Sequence, residues 1–126
     1  MEWTPIVDCA YDATITVPTI SSDTFAVTIQ LKDYAGNDLT VPAAVLCYVS
    51  STVAGIDPVV ITSEISTTSG GDGAVAIFLA KYNWQLISEA DGDIAIDVTT
   101  TGAHNYYLVL VMPNGKLVVS GVLAFT

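Results

Sequence analysis

The side chains that could carry out chemistry are few and scattered along the chain. His104 is the only histidine, and it lies in the segment TTGAHNYY beside Gly102. A Ser-His-Asp triad needs a serine on a sharp nucleophile turn and a third group that orients the histidine. No serine in the sequence lies in a segment of that kind. We therefore predict that His104 is a solvated residue at the point where a loop enters a strand.

Four acidic residues carry the oxygen ligands that calcium prefers, namely Asp72, Asp91, Asp93 and Asp97. Their spacing does not match a calcium-binding loop. The segments GGDGA and EADGDI are instead typical of turns between strands, where Asp-Gly is favoured for backbone reasons. Glycoside hydrolysis would need one carboxyl group in an apolar pocket, which acids on exposed turns do not provide. No metal site is expected here.

Two cysteines, Cys9 and Cys47, lie neither in a CxxC motif nor beside a base. We predict that both are packed apolar residues rather than nucleophiles or ligands. The first residues, MEWTPIVDCAYD, lack the basic and apolar parts of a signal peptide. The chain is thus expected to be made without an export signal, and its thiols to be free. Without a phosphate-binding glycine loop either, no cofactor and no enzymatic activity are expected.

Charge and composition exclude several classes of partner. Thirteen Asp and Glu against three lysines give a net charge of -10. Nucleic acids and anionic membrane surfaces bind clustered basic residues, which are missing. No apolar run reaches the roughly 20 residues of a membrane span. Only 13% of residues are charged and 52% are hydrophobic, so some apolar surface is expected to contact a partner protein.

Alternation of apolar and polar residues predicts strands along most of the chain. The segment TFAVTIQLK has four apolar residues on one side, and Val45 to Ser51, VAIFLA and IAIDVT alternate in the same way. Pro58 opens a further run, VVITSEI, and Pro113-Asn114-Gly115 turns the terminal hairpin. About seven strands between residues 24 and 126 favour an all-β fold, an immunoglobulin-like antiparallel β-sandwich. An eight-stranded jelly roll is the alternative.

Two segments leave alternatives open. Residues 1–22 are either an N-terminal arm that docks on a neighbour or the first edge strand, with ATITV as its strand, and residues 23–126 form the sandwich domain. The segment AKYNWQLISEADGD breaks the alternation. The spacing of Ala80, Trp84 and Ile87 allows either a short helical turn or a loop that caps the sandwich with Trp84.

The terminal segment YYLVLVM is apolar on both faces. One face belongs to the sandwich core and carries Leu108, Leu110 and Met112. The other is predicted to look outward and carries Tyr107, Val109 and Val111. A small antiparallel protein normally leaves one sheet face in water. We therefore expect the N-terminal arm or a neighbouring subunit to cover the outward face.

Residues 23–126, about four-fifths of the chain, resemble the immunoglobulin-like domains of tailed-bacteriophage virion proteins. The resemblance rests on three segments: VTIQLKDYAGNDL, ADGDIAIDVT and TGAHNYYLVLVMPNGKLVVSGVLAF. The sequence departs from antibody domains, because Cys9, Cys47 and Trp84 come in the wrong order for a core disulfide. Leu108 stands where the second cysteine would be, and Tyr106 matches a tyrosine corner that bonds to the backbone of residues 99–103.

The resemblance implies a virion structural protein, made in the host cytoplasm and located on the capsid exterior. The expected role is that of a capsid decoration or cement protein, which binds the outer surface of the phage capsid and stabilises it. Its partners would be the major capsid protein or other virion proteins. It would also form a homo-oligomer, for example a trimer. The residues expected at the partner interface are Trp3, Tyr107, Val109 and Val111.

An alternative function is a receptor- or glycan-binding domain of a phage tail or head fibre. Tyrosine and tryptophan rings can stack on sugars, and the chain carries six tyrosines and two tryptophans. Loop tyrosines such as Tyr34 and Tyr82 would then form the binding surface.

Overall fold

Alternating side chains produce eleven β-strands in the computed structural model, which describes residues 9–68 and 71–126. These residues contain strands, turns and bends but no helix. The strands are β1 (Asp12–Thr16), β2 (Thr24–Lys32), β3 (Ala44–Ser50), β4 (Pro58–Val59), β5 (Ser66–Thr67), β6 (Ala74–Leu79), β7 (Asn83–Ile87), β8 (Asp93–Thr99), β9 (His104–Val111), β10 (Leu117–Val119) and β11 (Leu123–Phe125). All named strand pairings are antiparallel.

The first sheet has the strand order β1-β2-β8-β5. Strands β2 and β8 pair from Thr24 opposite Thr99 to Gln30 opposite Asp93. The period-2 prediction is confirmed in both, because their inward residues are all buried. These are Phe25, Val27, Ile29 and Leu31 in β2, and Ile94, Ile96 and Val98 in β8.

The second sheet has the order β10-β9-β3-β7-β6, with β11 also paired to β9 and β4 to β3. Cys47 of β3 lies between Trp84 of β7 and Leu110 of β9, and all three side chains are fully buried. They face the inward residues of the first sheet in one central core.

The strand order is that of an immunoglobulin-like sandwich. If seven strands are lettered in chain order, β1-β2-β8-β5 is A-B-E-D and β10-β9-β3 is G-F-C. The all-β sandwich prediction is confirmed, whereas the count of about seven is too low. The additional strands are β4, the β6–β7 hairpin beside β3, and a last strand split at Ser120 and Gly121. Ser120 marks the split, since its Oγ accepts the Leu108 backbone N–H at 2.9 Å.

The helical turn and the capping loop predicted around Trp84 are both wrong. Residues Asn83–Ile87 form β7, with Trp84 and Leu86 buried on the inner face. The helix-like spacing arose because a tight turn precedes the strand. In that turn Lys81 has a φ of 62° and the Tyr82 N–H bonds to the Leu79 carbonyl at 3.0 Å.

The run VVITSEI is also irregular rather than one strand. Strand β4 ends at Val59, and Ile61 and Ile65 are buried from the connecting segment before β5 begins. The Ile61 N–H bonds to the Lys81 carbonyl at 3.1 Å, which ties this segment to the β6–β7 turn. A spacing of four residues brings both isoleucines to the core without a strand.

Residues 9–22 are part of the sandwich. Strand β1 is the edge of the first sheet and pairs with β2 over its whole length. Ala10 is buried in the core, and the Tyr11 N–H bonds to the Lys32 carbonyl at 2.9 Å. Thus β1 is a first edge strand, one of the two alternatives for this region. Trp3 lies outside the described residues, and a docking role for the arm stays a prediction.

Candidate interaction surface

Val109 faces away from the central core, as predicted, but the chain itself covers it. Its side chain is fully buried. Gly55 lies directly over it: a Cβ at Gly55 would be 3.2 Å from Val109 Cγ2 and 3.4 Å from Val119 Cγ2. The expectation that the arm or a neighbouring subunit covers Val109 is therefore wrong. The loop of residues 51–57 does so, and Val109 is not available to a partner.

Hydrogen bonds hold this loop against the outer face of the sheet. The Tyr48 hydroxyl, on the outward side of β3, donates to the Gly55 carbonyl. The Gly55 N–H bonds to the Thr52 carbonyl at 3.1 Å, and Ser51 N–H to the Asp57 carbonyl at 3.0 Å. The glycine and the Ser-Thr cluster indicate a turn in the sequence. They do not indicate which surface the turn covers, so sequence reasoning missed this contact.

Beyond the loop, a row of outward residues runs across the strands of the second sheet. None of these residues has a charged side chain. Register places five residues side by side: Leu117, Val111, Leu46, Gln85 and Ala76. Leu46 and Leu117 are 40% and 39% exposed, and Val111 is half-buried. Four inter-strand gaps of about 4.8 Å make this row about 19 Å wide.

A second row extends this surface on three of its strands. Ala44 of β3, Ile87 of β7 and Ala74 of β6 are cross-strand neighbours, and all three are exposed. We call the eight residues of the two rows the outer apolar face. Gln85 is its only polar side chain.

The predicted interface residues are therefore only partly brought together. Val111 belongs to the outer apolar face, whereas Tyr107 is half-buried beside Ser50, near the start of the covering loop. Leu46 and Ile87 were missed. The signal for Leu46 was present, because alternation in β3 already places this apolar residue on the outward side.

At one corner of the outer apolar face, next to Leu117, a lysine is paired with an aspartate. Lys116, in the β9–β10 turn, lies 3.1 Å from Asp12 Oδ2, and its Nζ is 5.5 Å from the centre of the Tyr11 ring. A hydrogen bond from the Ala13 backbone N–H, followed by Lys116, lowers the pKa of Asp12. This corner is thus close to neutral at physiological pH.

The outer surface of the first sheet is different in character. Its lining includes Thr14, Thr28, Gln30 and Asp93. Partial burial, and then the neighbouring carboxylate of Asp91, raises the pKa of Asp93. Within residues 9–68 and 71–126, no group of three or more His, Cys, Asp or Glu residues could hold a metal ion. The molecule therefore has one polar, acidic sheet face and one apolar, uncharged sheet face.

His104 and Tyr106 form an aromatic stack. Their rings lie 4.7 Å apart and nearly parallel, and Tyr106 packs at 60° to Phe125. His104 is exposed at the first position of β9, at the loop-to-strand junction where the sequence placed it. Across the described ranges we find no hydrogen bond from the Tyr106 hydroxyl to residues 99–103, so the tyrosine corner is not formed.

The two cysteines are free thiols. Cys47 is enclosed in the core, and this burial raises the pKa of its thiol far above its usual range. A thiol that stays protonated is a poor nucleophile. Cys9 is exposed at the start of the described chain, so the prediction of a packed residue holds for Cys47 and is wrong for Cys9.

A second surface feature is an exposed aromatic pair. Tyr34, in the turn after β2, is 74% exposed, and its ring meets Tyr11 edge-on at 5.2 Å. Tyr82 is half-buried in the turn before β7. Tyr34 and Tyr11 are therefore the tyrosines placed to stack on a ligand.

In the part of the chain that the structure describes, no helix is long and apolar enough to cross a membrane. Comparison with protein-family models, curated proteins and solved structures found no match for this chain.

Proposed function

We propose that this chain is a virion structural protein, a capsid decoration or cement protein that binds the outer surface of a phage capsid through the outer apolar face. The observation that carries the proposal is the contrast between this uncharged face and the rest of the chain. The net charge is -10, yet two adjacent rows of one sheet present no charged side chain.

Physical chemistry favours a protein partner for such a surface. The centre of a protein–protein interface is depleted in charged residues and rich in apolar ones. A contiguous apolar patch on a soluble chain marks an interaction site. The acidic remainder of the chain repels phosphate backbones and keeps free copies soluble. These properties suit a protein displayed on the outside of a particle, with the major capsid protein as its partner.

The proposal is tested by co-sedimentation of the purified chain with assembled capsids. Leu46→Lys and Val111→Lys each place an ammonium group in the centre of the face. We expect either to weaken capsid binding by tenfold or more, since the charge must be desolvated on contact. Ile20→Lys makes the same chemical change at an exposed site outside the face and should bind as the unmodified chain does. Equal binding by all three variants would refute the assigned surface.

A second candidate is a receptor- or glycan-binding domain of a tail or head fibre. The specific observation is the Tyr11–Tyr34 pair, in which the exposed Tyr34 ring meets Tyr11, and the ammonium group of Lys116 lies over the Tyr11 ring. An aromatic side chain can stack on a sugar only if one face of its ring is accessible. On a glycan array, this function predicts a signal that Tyr34→Ala abolishes and Leu46→Lys leaves unchanged. Absence of any signal would reject it.

A further inference from the structure

Strand β6 is the longest sheet edge without charge in the described part of the chain. The other edge strands of the two sheets are either short or carry a charge. Strand β5 has two residues, and β10 and β11 have three each. Strand β1 has five, and it begins at Asp12, which is paired to Lys116. Natural proteins keep free edges short or charged because a long apolar edge templates pairing with another strand.

The six residues of β6, AVAIFL, are neither few nor charged, and within the described residues the protective feature of this edge is a bulge between Ile77 and Leu79. They contain no charge and no proline, and Ile77, Phe78 and Leu79 are 52%, 60% and 57% exposed. On one side β6 pairs with β7, with a bulge between Ile77 and Leu79. On its other side no backbone hydrogen bond to residues 74–77 is found within the described ranges. Residues 64–67 line an open groove on this side together with Ala74, Val75 and Ile77, and the unpaired N–H and C=O groups of β6 lie along that groove.

We propose that two copies of the chain pair through β6 in antiparallel fashion, so that one continuous sheet runs across a two-fold dimer. A two-fold axis places the same strand on both sides of the contact. With the axis at Ala76, the Ala76 residues of the two copies lie opposite each other, and Ala74 of one copy lies opposite Phe78 of the other. Backbone hydrogen bonds then supply the pairing and the exposed apolar side chains supply the burial.

Charge at the strand ends selects this antiparallel arrangement. Asp72 precedes β6 by two residues, and Lys81 follows it by two. Antiparallel pairing brings the Asp72 end of one copy to the Lys81 end of the other, whereas parallel pairing would bring like charges together. Glu64 also lies at the Lys81 end, where its Oε1 accepts the Lys81 backbone N–H.

A second copy also suits β6 because the contact itself is uncharged. Two chains that each carry a net charge of -10 approach here without opposing acids within the strand. Pairing at β6 would place the two outer apolar faces on one continuous sheet, because Ala74 and Ala76 belong to that face. The inference goes beyond the proposed function and holds whether or not the chain binds a capsid.

The test is sedimentation equilibrium of the full chain over a range of concentrations. The unmodified chain is expected to dimerise. Ile77→Lys and Phe78→Lys should each raise the dimer dissociation constant tenfold or more, because each substitution enters a two-fold interface twice. Ile20→Lys and Leu46→Lys are controls at exposed sites off the edge and should dimerise normally. Both β6 variants keep a partly exposed position, so circular dichroism should show an unchanged fold.

Hydrogen exchange separates strand pairing from other dimers and needs no substitution. Amides in 74–79 are expected to exchange more slowly at concentrations where the chain is dimeric than after dilution. A chain that stays monomeric at all soluble concentrations overturns the proposal. So does a dimer whose β6 amides gain no protection, or one that Leu46→Lys disrupts and Phe78→Lys does not, since that dimer would use the outer apolar face.

Discussion

At the residue scale, Gly55 decides how much of the strand surface stays open to a partner. Its φ of 74° and its contact with Val109 allow the loop to lie flat on β9. A side chain at this position meets two penalties, one from the backbone conformation and one from the tight contact. The loop closes over Val109 only because the residue is glycine.

Gly55→Ala is therefore expected to lower the free energy of unfolding by about 2 to 4 kcal/mol, the sum of the backbone and packing costs. Gly36→Ala is the matched control. Gly36 has a similar φ of 85°, and no atom lies within 4 Å of a Cβ built there. It should cost about 1 kcal/mol, from backbone strain alone. Urea denaturation measures both, and equal losses would contradict the packing role of Gly55.

Asp93 provides a pH-dependent prediction. Its pKa in the folded chain is raised, first by partial burial and then by Asp91. A carboxyl group whose pKa is raised on folding stabilises the folded chain when the pH is below the pKa of the unfolded state. This stability is lost as the pH rises through the pKa of the folded state. Asp93→Asn removes the ionised carboxylate, and with it this loss of stability at neutral pH. We expect a gain of up to about 0.5 kcal/mol at pH 7, typical of a surface site, that vanishes below about pH 4.

Thermal unfolding across this pH range checks the Asp93 prediction. Asp23→Asn changes the net charge equally but lies at the opposite end of the β2–β8 pair. A gain for Asp93→Asn that is independent of pH would argue against the raised pKa of Asp93 as its cause. A gain of the same size in Asp23→Asn would assign the effect to net charge alone.

At the element scale, strands were predicted well where one face meets the core and the other meets water. Strands β2 and β8 are of this kind, and every inward residue of both was identified. Strand β7 was missed because a tight turn precedes it, and this turn interrupts the alternation of apolar and polar residues. Strand β9 was identified, yet the partner of its outer face was not, since alternation cannot indicate which loop packs on a strand.

The candidate site shows the same limit. Leu46 and Val111 are outward apolar residues that alternation alone identifies. They lie in one row with Leu117 and Ala76 only because of the order of strands in the sheet. The insertion of the β6–β7 hairpin beside β3 widened the face, and nothing in the local sequence indicates where that hairpin pairs.

The N-terminal segment gives a prediction at the same scale. Ala10 is buried and Asp12 begins β1, so residues 9–12 contribute to the sandwich. We expect that removal of residues 1–8 leaves the melting temperature nearly unchanged. Removal of residues 1–12 should cost about 2 kcal/mol or more, from lost burial and an edge hydrogen bond.

Thermal melts of both truncated chains check the stability prediction, and equal stability would contradict the role of Ala10. Capsid binding by the shorter truncation tests Trp3 separately. If Trp3 anchors the chain, removal of residues 1–8 weakens binding without changing the fold. Unchanged binding would show that the segment is not needed for attachment.

At the scale of the whole molecule, the two sheet faces differ in a way that predicts the effect of salt. An apolar contact gains nothing from long-range attraction, and copies with a net charge of -10 repel one another on a crowded surface. Raising the ionic strength screens that repulsion. Capsid occupancy is therefore expected to hold or rise between low and high salt. Loss of binding on adding salt would indicate an electrostatic contact instead.

We propose that this sandwich binds the capsid exterior through the outer apolar face. An electron cryo-microscopy map of particles assembled from the genome that encodes this chain tests it most directly. We expect density for the sandwich on the outer shell, with Leu46 and Val111 against capsid protein. Density that places the chain in a tail fibre, or on the shell with this face turned to solvent, would contradict it.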